Sequence, residues 1–135
     1  MSYGMTAALQ QAVYQHLSSD AGVTALVGGV FDEIPAGDLP PIYVSLGPET
    51  AKDRSDKTGD GAEHEFVVSV ISDQAGFLSA KQASVAISDA LIGADLVLSR
   101  GLLIGLWFVK AVAKREASSN VRRIDMKFRA RVEDN

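Results

Sequence analysis

The sequence predicts an α+β fold: a mainly antiparallel sheet of about five strands with two main helices packed on one face. Three observations carry this expectation. Two stretches, near residues 5–17 and 76–92, place apolar side chains at helical spacing. The last segment alternates apolar and charged residues almost without fault. The element order, α, short α, β, β, β, α, β, β, suits hairpins better than the alternating units of a doubly wound parallel sheet.

In the first helix Met5, Leu9, Ala12, Val13 and Leu17 share one side, and Gln10, Gln11 and Gln15 the other. Asp20 then offers an N-cap for a short helix over residues 21–27. Gly28-Gly29 is expected to end it in the left-handed conformation that glycine accepts. Residues 30–34 form a short strand candidate, followed by a loop containing Pro35, Pro40 and Pro41, because proline cannot donate to a ladder. A strand resumes over 42–47. Residues 50–62 contain no large apolar side chain and are expected to be an exposed, mobile loop between two strands. Residues 63–72 read as a strand with Phe66, Val68 and Val70 on one face and Val67 and Ile71 on the other. In the second main helix, Ala80, Ala83 and Ala86 are small enough for close approach to a sheet. Residues 102–115 and 120–133 form a long hairpin. In its second strand Ile124, Met126, Phe128, Ala130 and Val132 face one way, and Arg123, Asp125, Lys127, Arg129 and Arg131 the other.

At 135 residues the chain matches the usual size of one domain, and neither a repeat nor a break in composition divides residues 1–135. An apolar fraction of 47% with 22% charged residues is that of a globular protein. There is no cysteine, so disulfides and thiolate metal sites are excluded. No apolar run reaches the ~18–20 residues of a membrane span, and no basic segment followed by an apolar one marks a secretory signal. The expectation is a soluble protein made in the cytoplasm, with no membrane partner. Its net charge of −4 conceals a division. Residues 1–98 carry only Lys52, Arg54, Lys57 and Lys81 against thirteen carboxylates, whereas residues 99–135 carry nine basic side chains against four.

The search for chemistry yields no catalytic constellation. His16 and His64 belong to no spaced metal pair, and both read as surface residues; Glu63 and Glu65 flank His64 but point to the opposite strand face. Asp56, Thr58, Asp60 and Gly61 match the opening positions of a calcium-binding loop. The match fails where the bidentate glutamate should stand, since Val67 stands there, and no helices flank it. Phosphate-binding glycine loops and acyl-transfer motifs are absent. The carboxylates of the 50–62 segment lack the fixed geometry that acid–base chemistry needs. No enzyme activity and no cofactor are expected.

Surfaces remain. Arg123, Lys127, Arg129 and Arg131 recur at every second position or nearly so, with Lys110 and Lys114 on the partner strand. A solvated sheet face, a nucleic-acid surface, or a surface for an acidic neighbour would each produce this row. The nucleic-acid reading wants stacking aromatics, and none is expected on this face. The polar segment adds Lys52, Asp53, Arg54, Asp56 and Asp60 as candidate contact residues that order against a neighbour.

The order of landmarks resembles a known family. Ala8-Leu-Gln-Gln-Ala-Val-Tyr14-Gln-His-Leu17, Leu26-Val-Gly-Gly29 and Val30-Phe-Asp-Glu-Ile-Pro35 lead to Pro41-Ile-Tyr-Val-Ser-Leu-Gly47. Ser72-Asp-Gln-Ala-Gly76 and Arg123-Ile-Asp-Met-Lys-Phe-Arg-Ala-Arg131 follow. Together they are similar to the tail-completion, or tail terminator, proteins of long-tailed phages and gene transfer agents. Ile71 stands where such proteins usually carry a tryptophan. The resemblance implies a ring, typically a hexamer, that caps the tail tube, halts its growth and presents a head-joining surface. Implied partners are further copies of the chain, the tail tube protein and a head-completion or connector protein. DNA would at most pass through the lumen without specific binding. A small α+β ligand-binding or regulatory domain is the alternative.

Overall fold

A computed structural model describes residues 2–55, 59–116 and 120–134. A 3₁₀ turn over Ser2–Met5 leads into α1 (Thr6–Ser19), which is followed by the single turn α2 (Ala21–Thr24). Then come β1 (Val30–Phe31), β2 (Ile42–Asp53), β3 (Gly61–Ser72), α3 (Leu78–Leu91), β4 (Leu102–Arg115) and β5 (Arg122–Glu133). The five strands form one sheet in the order β1-β2-β3-β5-β4. All neighbours are antiparallel except β1 and β2, which run parallel. The α+β class, the element order and the one-sided helix layer are as the sequence predicts.

The core lies between the helices and the inner sheet face. From α1 come Leu9, Val13 and Leu17, and from α3 come Ala80, Ala83, Ile87 and Leu91, all buried. They meet Val68 and Val70 of β3 and the alternate residues Ile124 to Val132 of β5. Phe128 is the largest fully buried side chain. Its ring stacks on Phe66 at 5.8 Å and receives Phe108 edge-on at 5.9 Å, which joins β3, β5 and β4 across the sheet. The Asp20 side chain accepts from the Val23 backbone N–H at 3.0 Å, the expected cap of α2.

Two expectations need correction. The polar segment 50–62 is not a loop throughout: β2 runs on to Asp53 and β3 begins at Gly61. Lys52 pairs with Glu63 and Thr50 with Glu65, so the ladder, with one oppositely charged pair, carries β2 past the point where its own side chains are buried. Polar composition at the end of β2 reports solvent on both faces, over Thr50, Ala51, Lys52 and Asp53. The connection itself is residues 54–60, and Asp56 lies outside the described residues. The second correction concerns Gly28-Gly29, which have ordinary negative φ. The Gly28 N–H donates to Ile42 O at 2.8 Å and Gly29 O accepts from the Val44 N–H at 2.9 Å. A Cβ at Gly28 would collide with the Pro40 ring, so close approach to β2, and not a left-handed cap, requires glycine there.

Bulges set which side chains face the core. Leu46 pairs with Val68 but Glu49 with Phe66, so β2 carries one extra residue at Gly47-Pro48. That residue turns Glu49 inward. In β4, extra residues fall at Ile104 and Val109.

Truncating the central ring tests this arrangement. Phe128→Ala should cost about 3–5 kcal/mol of unfolding free energy by denaturant titration, because a cavity opens beneath three strands at once. A loss under about 1 kcal/mol would contradict the packing described.

Candidate functional site

The outer sheet face, which no helix covers, gathers the charged side chains. The β3–β5 register places Arg131 opposite Glu63, Arg129 opposite Glu65, Lys127 opposite Val67 and Arg123 opposite Ile71. Around Glu63 the structure brings together residues from both candidate groups. Arg54 Nη2 lies 3.2 Å from one carboxylate oxygen and Arg129 Nε 3.2 Å from the other. Lys52 is its cross-strand partner, and Arg131 Nη2 donates to Arg54 O at 2.9 Å. Lys127 reaches Glu65 only at 3.9 Å. Asp53 closes the 54–60 connection instead, accepting from Ser55 Oγ at 2.7 Å, while Asp60 O accepts from the Asp134 N–H at 2.8 Å.

Arg123 stands apart. Seven residues of strand, eight steps, separate it from Arg131, about 27 Å at the usual rise, so the basic residues form a stripe and not a pocket. At its end Asp125 Oδ1 accepts from Ser69 Oγ at 2.6 Å and from Arg123 Nε at 2.8 Å. Partial burial alone would raise the Asp125 pKa; the hydrogen bonds from Ser69 and Arg123, with the charges of Arg123 and Lys114, outweigh it and hold the carboxyl below its ordinary value. Exposed ion pairs of this kind contribute about 0–1 kcal/mol each, so stability does not account for the stripe.

An aromatic residue does lie on this face, contrary to the reading from sequence. Counting back from the hairpin turn without interruption would pair Trp107 with Ala130 on the helix side. The extra residue Val109 shifts the register, and Trp107 pairs with Arg129. The Arg129 guanidinium sits 5.6 Å from the Trp107 ring centroid, and Trp107 stays 47% exposed.

The histidines are also placed differently. His16 is half-buried and its Nε2 lies 2.7 Å from Ala90 O, tying α1 to α3. His64 is fully buried on the inner face. Glu63 and Glu65 point away from it, as expected, but the bulge at Gly47-Pro48 delivers Glu49 to it. His64 Nδ1 lies 2.6 Å from Glu49 Oε1, and Thr6 Oγ1 donates to the same oxygen at 2.7 Å. Burial raises the Glu49 pKa, but the hydrogen bonds from His64 and Thr6 and the influence of His64 prevail, and the net shift is downward. His64 Nε2 is buried without a hydrogen-bond partner among the described residues. This group pins the start of α1 to β2 and β3. A Gly-Pro pair inside a strand pattern is the sequence signal of such a bulge.

A depression of about 510 Å³ lies between the 93–95 turn and β4, lined by Leu103, Ile104, Leu106, Trp107 and a single carboxylate, Asp95. It gathers no convergent set of polar groups. Among the described residues no group of three His, Cys, Asp or Glu could hold a metal ion.

Comparison with known proteins identifies the architecture. Residues 11–133 match the family described as tail completion protein gp17. A chain from a structure described as "Virion of native gene transfer agent (GTA) particle" is 61% identical to this one. It superposes with a TM-score of 0.92 over 98% of this chain and 99% of that one. No curated protein matches.

Both shifted carboxyls make stability pH-dependent. Folding lowers the pKa values of Glu49 and Asp125, so the unfolded chain binds more protons in acid. Their contribution is complete above the ordinary carboxylate range and disappears as pH falls through their lowered values. Urea midpoints should therefore fall on going from neutral pH to about pH 3, and fall less steeply in Glu49→Gln/Asp125→Asn. An identical slope in wild type and variant would remove these two groups from the account.

Proposed function

This chain belongs to the tail completion protein gp17 family, and from that premise we infer that it caps the head-proximal end of a tail tube as a ring. The observation that carries this reading is the near-complete coverage of both chains at 61% identity with a component of a native gene transfer agent virion. Identity at that level over the whole domain supports the same structural place in a particle, not only the same fold. The chain would then be made in a bacterial cytoplasm and finish as part of a tailed particle.

The mechanism is one of surfaces. The end of a growing tube exposes the groups that recruit the next ring of tube subunits. A cap covers those groups and replaces them with a different face, so polymerisation stops and a head connector finds a docking surface. Its partners are other copies of this chain, the tube protein and a head-completion or connector protein; DNA passes through the lumen without sequence-specific contacts. Specificity then depends on shape and charge complementarity across large contacts, not on a pocket. The outer stripe of Arg123, Lys127, Arg129 and Arg131, with Lys52, Asp53, Arg54 and Asp60 at one end, suits such a contact. Asp56 is proposed to belong to the same surface.

Electron microscopy of particles from a strain deleted for this gene tests the reading. Tails that are overlong or lack heads are the expected result. Particles with normal tails and joined heads would overturn it.

A further inference from the structure

The two edges of the sheet differ in chemistry as well as length. One edge is β4, fourteen residues long, with only its β5 side paired. Its second half is exposed on both faces, since neither α1 nor α3 lies over it. Phe108, Val109 and Val112 are large apolar side chains in contact with solvent there. A long, exposed, apolar edge is a liability in a chain that stays alone.

Its charges are equally unsatisfied. Directly opposite cross-strand pairs are Lys110 with Lys127, Lys114 with Arg123, and Arg115 with Arg122. Like charges in that position repel, where opposite ones would have stabilised the hairpin. Asp125 and Glu65 answer Lys114, Arg123 and Lys127. Among the described residues Lys110 and Arg115 have no carboxylate partner and the buried Arg122 Nε has no acceptor. The hairpin is thus apolar and cationic beyond what its own chain neutralises.

The opposite edge has the complementary character. β1 is followed by residues 32–39, which are exposed and carry Asp32, Glu33 and Asp38 around the exposed apolar Ile34 and Leu39. No lysine or arginine precedes Lys52 in the chain, so nothing nearby in sequence offsets these carboxylates. Gln10 binds Asp32 at 2.6 Å, while Glu33 and Asp38 have no cationic partner among the described residues. Three strands separate the two edges, so one molecule cannot bring its own acidic segment to its own hairpin.

We propose that the 32–39 segment of one copy docks against the β4–β5 hairpin of the next. The contact is heterologous, one edge of the sheet against the other edge of a second copy, which is the kind of contact that closes into a ring when the rotation per step permits. The proposal rests on the capping reading above and assigns the subunit interface within it.

Charge exchange tests the interface. Glu33→Lys/Asp38→Lys reverses the segment, and Lys110→Glu/Arg115→Glu reverses the hairpin. The latter pair also relieves repulsion from Lys127 and Arg122, so the fold tolerates it. Each variant is supplied to a strain deleted for the gene, and finished particles with heads joined to tails of set length are counted. Either double variant alone should lower their number at least about tenfold, since like charges then meet at every subunit contact. The chain carrying all four substitutions should restore them, because its reversed segment again meets an oppositely charged hairpin. Full activity of both double variants would overturn the interface and leave the capping reading intact. Failure of the four-substitution chain, with thermal unfolding like wild type, would also overturn it and assign the hairpin to the tube protein or to nucleic acid. A deletion strain with normal particles would overturn the capping reading and the interface together.

Discussion

A helix advances about 1.5 Å per residue and a strand about 3.3 Å, and that difference governs this molecule. The two long helices have fourteen residues each and extend about 21 Å, whereas the fourteen-residue β4 extends about 46 Å. Neither helix can therefore cover a strand from end to end. Where they do cover the sheet, Phe128, Phe66, Ile87 and Leu91 form a buried apolar core. Where they do not, β2 ends in Thr50-Ala-Lys-Asp53 and β4 in Val109 to Arg115, exposed on both faces. The ends of the hairpins are built for solvent or for a neighbour, and the apolar and unpaired cationic groups on β4 favour a neighbour.

Within that frame, single extra residues decide what each strand presents. The bulge at Gly47-Pro48 converts Glu49 from an outer residue to an inner one, where it meets His64 and Thr6. The bulge at Val109 moves Trp107 from the core side to the charged side, beneath Arg129. Each bulge exchanges the two faces of everything beyond it, so three inserted residues shape both the buried polar cluster and the outer stripe.

This also explains what could be read in the sequence. The alternation from Arg123 to Glu133 is unbroken, and its inner and outer residues are as expected, because β5 pairs on both sides and carries no bulge of its own. Both long helices were legible from their apolar spacing. The 50–62 segment misled because composition reports exposure, and an exposed strand has the same composition as a loop. His64 was misassigned and Trp107 overlooked for another reason: their surroundings depend on register with a partner strand, which intrachain periodicity does not contain. The acidic 32–39 segment and the basic hairpin were visible as a charge division between residues 1–98 and 99–135. Their placement on opposite edges became evident only from the strand order.

A chain with a half-covered sheet, complementary edges and membership of a tail-completion family is best understood as a subunit whose surface is finished by its neighbours. The most direct measurement exploits the absence of native cysteine. Cysteines placed at Asp38 and Lys110 of the same chain, treated with a short bis-maleimide in assembled particles, report whether one edge meets the other edge of the next copy. The account predicts a ladder of linked chains ending at the ring's full copy number. Chains that remain monomeric in particles of normal form, or that stop at dimers, would contradict it.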